Sequence, residues 1–288
     1  MGKEMLKRKW KTYAVCFLLV LAGLWLSGRE AQAAGAQMRP GQTYTVKVEG
    51  KNRSVKVTES RWGYSTANIA LYFYLDGDYI GTVSGQDEFS STDLFYTEIR
   101  KIPWKSRKTT LFYISVVGMD EASVINGIYE IRSGRLKKLL DEKKIASPSK
   151  RQNRFQVNKV SGKQVEIRCS WMANAIGCVD ANVRYRYRKG KLVPSEGSKT
   201  CYPVSITRPG GGSTFTAARE VRLYKSAGGQ EVSSVLYRGD CVKFVKCCKR
   251  KGRWYLYAKS SNGKRGWLKN TNEPAYPNRL FEEVIFAG

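Results

Sequence analysis

Residues 69–79 read IALYFYLDGDY, and this stretch decides the fold. Ile69, Leu71, Phe73 and Leu75 share one side of an extended chain, with Tyr72 and Tyr74 on the other. Period-2 alternation rich in aromatic residues is the pattern of a half-buried antiparallel strand. Asp76-Gly77-Asp78 then breaks the run. Its spacing is not that of a calcium loop, so the segment reads as a β-turn in a hairpin, where glycine accepts a positive φ without a Cβ clash.

The pattern recurs further along the chain. Tyr72-x-Tyr74-x-x-Gly77-x-Tyr79 returns as Tyr129-x-Ile131-x-x-Gly134-x-Leu136, and again as Tyr185-x-Tyr187-x-x-Gly190-x-Leu192. The glycines lie 134 − 77 = 57 and 190 − 134 = 56 positions apart. Another apolar alternation precedes each one, around Val55, Leu111 and Ile167. Upstream, Tyr44, Val46 and Val48 alternate with polar residues, and 94–102 and 155–160 supply further strands between units. Residues 135–144 have a passable helical pattern, but their neighbours favour a strand of a meander. A four-strand unit of this size is close to a propeller blade, and three units are too few to close a propeller. The expectation is an all-β protein whose first domain, 34–200, is an open blade-like array or a sandwich of about three repeats.

Charge and composition narrow the chemistry. The chain has 288 residues, with 51 Lys plus Arg against 24 Asp plus Glu, a net charge of +27 and no histidine. Without imidazole there is no Ser-His-Asp or Cys-His unit and no His-ligated zinc. Acid–base work at neutral pH would fall to a perturbed carboxylate or lysine. The positive charge points to anionic partners.

The N-terminus reads as an address. Lys3, Lys7, Arg8, Lys9 and Lys11 precede an apolar run from Tyr13 to Leu26, and Ala31-Gln32-Ala33 offers a small-x-small cleavage site. This order is that of a secretory signal peptide over residues 1–33, and the run is too short for an ordinary spanning helix. Cleavage would leave 45 − 22 = +23 on the exported chain, with no membrane span. Six cysteines would remain: Cys169, Cys178, Cys201, Cys241, Cys247 and Cys248. An exported chain favours disulfides, and six cysteines allow fifteen connectivities. A bridge between Cys169 and Cys178, closing the loop between two strand-like runs, is the pairing expected first. Buried free thiols are the competing reading. No C-x-x-C pair accompanies the missing histidine, so no metal and no cofactor are expected.

Within the first domain the candidate chemistry is sparse. Asp87, Glu88 and Asp93 cluster in a polar loop, as do Asp120 and Glu121. Two carboxylates that met in space would serve a glycosidase. Lys101, Lys105, Arg107 and Lys108 bracket Trp104, an aromatic-in-basic arrangement that suits an anionic polymer or, more simply, a solvated loop.

Pro203, Pro209 and Gly210-Gly211-Gly212 mark residues 201–213 as a linker. A compact set of strands follows in 214–288. Val221, Leu223 and Tyr224 open it, and Val232, Val235 and Leu236 lead into the Arg238-Gly239-Asp240 turn. Val242 and Phe244 alternate before Trp254-Tyr255-Leu256-Tyr257. Asn262-Gly263-Lys264 then turns into Arg265-Gly266-Trp267-Leu268. This order, with Gly239, Asn262, Gly263, Gly266 and Trp267 as its signature, resembles the bacterial SH3-like domains of exported, cell-wall-associated proteins. The first turn departs from that family: Ala227-Gly228-Gly229 stands where a Gly-Pro pair is common. The resemblance implies a small barrel that binds peptidoglycan peptides or other wall components, with Tyr224, Trp254, Tyr255 and Tyr257 as the groove residues. It places the protein outside the cell, at the wall.

These features favour a non-enzymatic wall- or surface-binding protein whose partner is peptidoglycan or an anionic wall polymer. The alternative is a carboxylate-dependent wall hydrolase with the module as its targeting domain. An extracellular nucleic-acid binder ranks last, because the basic residues are spread along the chain rather than gathered in a stripe.

Overall fold

The computed structural model describes residues 35–63, 66–87, 95–118, 123–148, 154–194, 200–208, 210–270 and 279–284. The export signal expected in residues 1–33 lies outside them, as do Glu88, Asp93, Asp120 and Glu121. No helix among the described residues is long and apolar enough to cross a membrane. The fold is all-β, and the described residues form three antiparallel sheets and no closed barrel.

The repeated sequence units are repeated meanders. Strands β2 (Thr43–Val48), β3 (Lys51–Trp62), β4 (Ala67–Leu75) and β5 (Asp78–Asp87) form the first sheet in chain order. Strands β6 (Tyr96–Trp104), β7 (Thr109–Val117), β8 (Ser123–Arg132) and β9 (Arg135–Asp141) form the second, and β1 (Ala36–Met38) adds to it alongside β6. Strands β10 (Phe155–Ser161), β11 (Gln164–Ala173), β12 (Gly177–Arg188) and β13 (Lys191–Pro194) repeat the motif. The three hairpin glycines occupy the same place, between the third and fourth strands of each meander. Asp76-Gly77, Ser133-Gly134 and Lys189-Gly190 each have positive φ at both residues. That is the type I′ turn, whose twist matches the strands it joins. Residues 135–141 are strand, with a single 3₁₀ turn at Glu142–Lys144.

The sheets stack face to face, and the middle one is covered on both sides. All nine residues of β7 are buried, which its unbroken apolar character requires. Alternation then divides them. Phe112, Ile114 and Val116 enter a core shared with the first sheet, where Phe112 meets Phe73 edge-on at 5.8 Å. Leu111 and Tyr113 enter a core shared with the third, where the Tyr113 hydroxyl donates to the Phe155 carbonyl at 2.6 Å.

The second core continues without a break into the C-terminal strands. Residues 201–207, expected at the head of a linker, are strand β14 (Cys201–Thr207). Val204 and Ile206 alternate inward and hold the segment against the core, despite Pro203 and the glycines that follow. Strand β14 pairs with β12 through Val204–Thr207 and with β18 (Cys241–Arg250) through Cys201–Pro203, joining the third meander to the module. The remaining strands are β15 (Phe215–Thr216), β16 (Val221–Tyr224), β17 (Val232–Leu236), β19 (Arg253–Ser260) and β20 (Arg265–Lys269). The strands expected of a small barrel are therefore all present, but their sheet is open. It runs β14-β18-β19-β20-β16-β17, and no ladder joins β17 to β18. Inside it, Phe215, Phe244 and Phe281 pack edge-on with centroids 5.2–6.1 Å apart. Phe281 brings the C-terminal tail onto the module, where the Ala218 amide donates to the Leu280 carbonyl.

The expected Cys169–Cys178 bridge is absent, and the disulfide is Cys201–Cys248. In the β11–β12 ladder Cys169 lies opposite Ala181, and Cys178 opposite Met172. Cys169 belongs to the inward set of β11 and is buried, whereas Cys178 alternates with the inward Val179 and Ala181. Two thiols on opposite faces of one sheet cannot meet without moving the backbone. Cys201 and Cys248, by contrast, are direct cross-strand partners.

Candidate functional site

Strands β16, β19 and β20 and the turn after β16 enclose a cleft of about 570 Å³. Val221, Tyr224, Tyr255, Leu268 and Leu280 give it apolar and aromatic walls, and Arg222, Arg253, Lys269, Glu220 and Gln230 bring polar side chains to it. The composition fits a binding site: mostly apolar surface with a few converging polar groups. Among the described residues the lining carries three cationic side chains and one carboxylate, Glu220, whose Oε1 accepts from Arg222 Nε at 3.3 Å.

Local sequence explains how each wall is placed. On β19, Tyr255 alternates with the inward Leu256 and points to the outer face, where 9% of it stays exposed. Cross-strand pairing sets Tyr255 opposite Lys269 and Cys248, so the disulfide lies in the register row beside the cleft. Tyr224 pairs with Trp267 of β20 as that strand crosses β16. The crossing needs Gly266. A Cβ there would lie 2.8 Å from Leu223 Cβ and 2.9 Å from the Tyr224 carbonyl oxygen. The turn that departs from the resembled family forms the lip of the cleft. Gly228 has φ +86°, and a Cβ on it would sit 3.4 Å from the Tyr255 hydroxyl. The lip is anchored by the Lys225 amide donating to the Glu231 carbonyl at 2.9 Å and by the Lys225–Glu231 ion pair.

Of the four expected groove residues, the fold brings Tyr224 and Tyr255 together in this cleft. Tyr257 lies on the neighbouring row, where it meets Trp267 edge-on at 5.1 Å with Lys246 Nζ 5.9 Å from its centroid. Trp267 thus sits half-buried on the outer face. Trp254 packs against the shared core near Tyr202, at 6.5 Å. Arg222, Arg253 and Lys269 escaped sequence reasoning because each is one basic residue among 51; their signal was adjacency to the aromatic positions. Leu280 escaped it because the tail has no recognisable motif.

The remaining signature residues are structural. Gly239 has φ +90° in the turn between β17 and β18. Asp240, beside it, accepts from Lys264 Nζ at 2.6 Å, the Tyr237 amide at 2.7 Å and Asn262 Nδ2 at 3.3 Å. It therefore ties the Asn262-Gly263 hairpin to the Arg238-Gly239-Asp240 turn. These bonds, led by that from Lys264, hold the Asp240 carboxyl below its ordinary range.

In the aromatic-in-basic segment Lys105 and Lys108 are exposed, as a solvated loop requires, while the aromatic ring turns inward. Trp104 is buried and donates from Nε1 to the Gly162 carbonyl at 2.6 Å, and the Arg107 guanidinium lies 3.4 Å from the centroid of Tyr187. Carboxylates are largely engaged with cations, as in Glu98–Arg100, Asp180–Arg168 and Glu283–Arg208. Burial pushes the Glu142 carboxyl up. No group of three or more potential metal ligands occurs among the described residues. We found no family model, curated protein or solved structure that matches the chain significantly.

Proposed function

We propose that this chain is an exported, non-enzymatic binding protein of the bacterial wall or cell surface. In this reading the SH3-like module holds a peptidoglycan peptide or an anionic wall polymer in the Tyr224–Tyr255 cleft. The observation that carries the proposal is the pairing of two tyrosine walls with Arg222, Arg253 and Lys269 in one concave site. Aromatic faces suit peptide stems, and the cations suit carboxylates and phosphates. The sequence supports export through residues 1–33, and the charge of 45 − 22 = +23 left on the exported chain favours a polyanionic surface.

The test is sedimentation of the protein with purified cell walls. Deleting the module would open a core shared with the third meander, so point variants are the cleaner probe. Arg222→Glu/Arg253→Glu changes exposed side chains only. We expect that variant to stay in the supernatant under conditions that pellet the parent. Equal retention of the two proteins overturns the cleft assignment. Walls stripped of phosphate polymers separate the ligands: retention on stripped walls identifies peptide stems, and its loss identifies the polymer.

A further inference from the structure

We infer that the outer face of the first meander is a second binding site, and that its ligand is a neutral oligosaccharide. The observation is a cavity of about 530 Å³ on β3, β4 and β5. Its lining side chains belong to three cross-strand rows, Trp62–Asn68–Gln86, Ser60–Ala70–Ser84 and Thr58–Tyr72–Thr82, of which all but Ser60 and Thr58 border the cavity. These rows are the even-numbered, outward positions; Ile69, Leu71 and Phe73 alternate with them into the core.

The chemistry of the lining selects the ligand. Trp62, Tyr72, Asn68, Gln86, Thr82 and Ser84 contribute two aromatic rings, two amides and two aliphatic hydroxyls. Among the described residues, no lysine, arginine, aspartate or glutamate lines the cavity, in a chain where 26% of residues are charged. An anionic polymer therefore finds no cation here, and a hydrophobic peptide finds no deep apolar hole, since Ala70 forms the floor. A sugar offers what remains: C–H faces that lie on aromatic rings, and hydroxyls that both donate to and accept from amides and side-chain hydroxyls. Trp62 is 48% exposed, a large apolar area to leave in water at the rim of a polar cavity.

The platform is also held in shape. Asn68 Nδ2 donates to the Thr66 carbonyl at 2.9 Å and to the Trp62 carbonyl at 3.3 Å, which fixes the amide between the rims. Thr82 Oγ1 and the Tyr79 hydroxyl share a hydrogen bond of 2.7 Å. Beneath the sheet, a Cβ on Gly85 would lie 2.8 Å from the Val124 carbonyl oxygen, so β8 supports β5 at van der Waals range. Ordering such a site before binding lowers the entropy lost on association.

This inference is independent of the Tyr224–Tyr255 cleft. Titration calorimetry of the purified protein with cellotetraose, maltotetraose and the tetramer of N-acetylglucosamine tests it. We expect at least one to bind, with the same affinity at low and high salt because no ion pair forms. Trp62→Ala should weaken binding about tenfold or more, as truncation of an aromatic anchor does, and Trp62→Phe should recover part of the loss. Arg222→Glu/Arg253→Glu should bind as the parent does. No binding of any of the three sugars, full binding by Trp62→Ala, or affinity that falls steeply with salt overturns the inference.

Discussion

The Tyr187 hydroxyl of the third meander donates to Glu130 Oε1 of the second at 3.0 Å. Glu130 is 1% exposed, and its other oxygen accepts from Arg107 Nη1 at 2.9 Å. Arg132 Nη1 approaches Glu130 to 3.6 Å and donates to the same Tyr187 hydroxyl at 2.9 Å. One buried carboxylate thus gathers two guanidiniums and a phenol at the seam between two stacked sheets, with Trp104 meeting Tyr187 edge-on at 5.6 Å. Buried charge persists only where it is matched in this way.

Glu130→Gln removes the charge and leaves both guanidiniums without their anionic partner. Breaking a buried ion pair from one side costs about 3–5 kcal/mol, and the low end applies here because Arg107 and Arg132 keep some contact with water. We expect a large drop in the midpoint of urea unfolding. Glu130→Gln with Arg107→Met should recover part of it. A midpoint within error of the parent would show that the seam does not depend on this carboxylate.

The Cys201–Cys248 bridge closes a loop with a sequence separation of 47. Loop-entropy arithmetic gives it about 4 kcal/mol. Cys201→Ser/Cys248→Ser should therefore melt well below the parent, and reduction of the parent should produce the same shift. Alkylation followed by mass spectrometry should mark Cys241, which is exposed, in the native oxidised protein. Cys169 and Cys247 should react only after unfolding, because burial pushes both thiols up, that of Cys169 to about 12. Ready alkylation of Cys201 and Cys248 without reductant would contradict the assigned bridge.

Asp240 makes stability depend on acid. Its carboxyl is held below the ordinary aspartate value by Lys264, the Tyr237 amide and Asn262. A depressed pKa in the folded state means that the unfolded chain binds the proton more tightly. The contribution is therefore whole above the unfolded aspartate value, about 3.9, and is lost as pH falls through the lower folded value. Asp240→Asn should remove that part of the acid dependence, so its thermal midpoint should converge on the parent's in strong acid. Parallel curves at all pH values would exclude the three-way tie as the source.

How far the cleft could be read from the chain follows from its separate parts. Tyr224 and Tyr255 were legible because each sits in a short alternating strand, where the outer face is set by neighbours one residue away. Tyr257 and Trp254 had the same local signal, but packing assigned Tyr257 to Trp267 and turned Trp254 to the core. Leu280 was not legible, since only docking of Phe281 among Phe215 and Phe244 brings it to the cleft. The sugar-type face was hidden for a related reason. Its rows join residues from three strands, and no single strand shows that the lining lacks charge.

By itself the sequence determined most of the strands, the three glycine hairpin turns and the repeat. These follow from local rules: the two-residue period of an extended chain, and the freedom of glycine at positive φ. Tertiary structure alone decided which faces met. It buried both sides of β7, made a strand of residues 201–207, and paired Cys201 with Cys248 while keeping Cys169 and Cys178 apart. Those outcomes depend on register and layering, and a one-residue slip in register moves a side chain to the opposite face. Contacts between distant segments choose among registers that local propensity leaves equivalent.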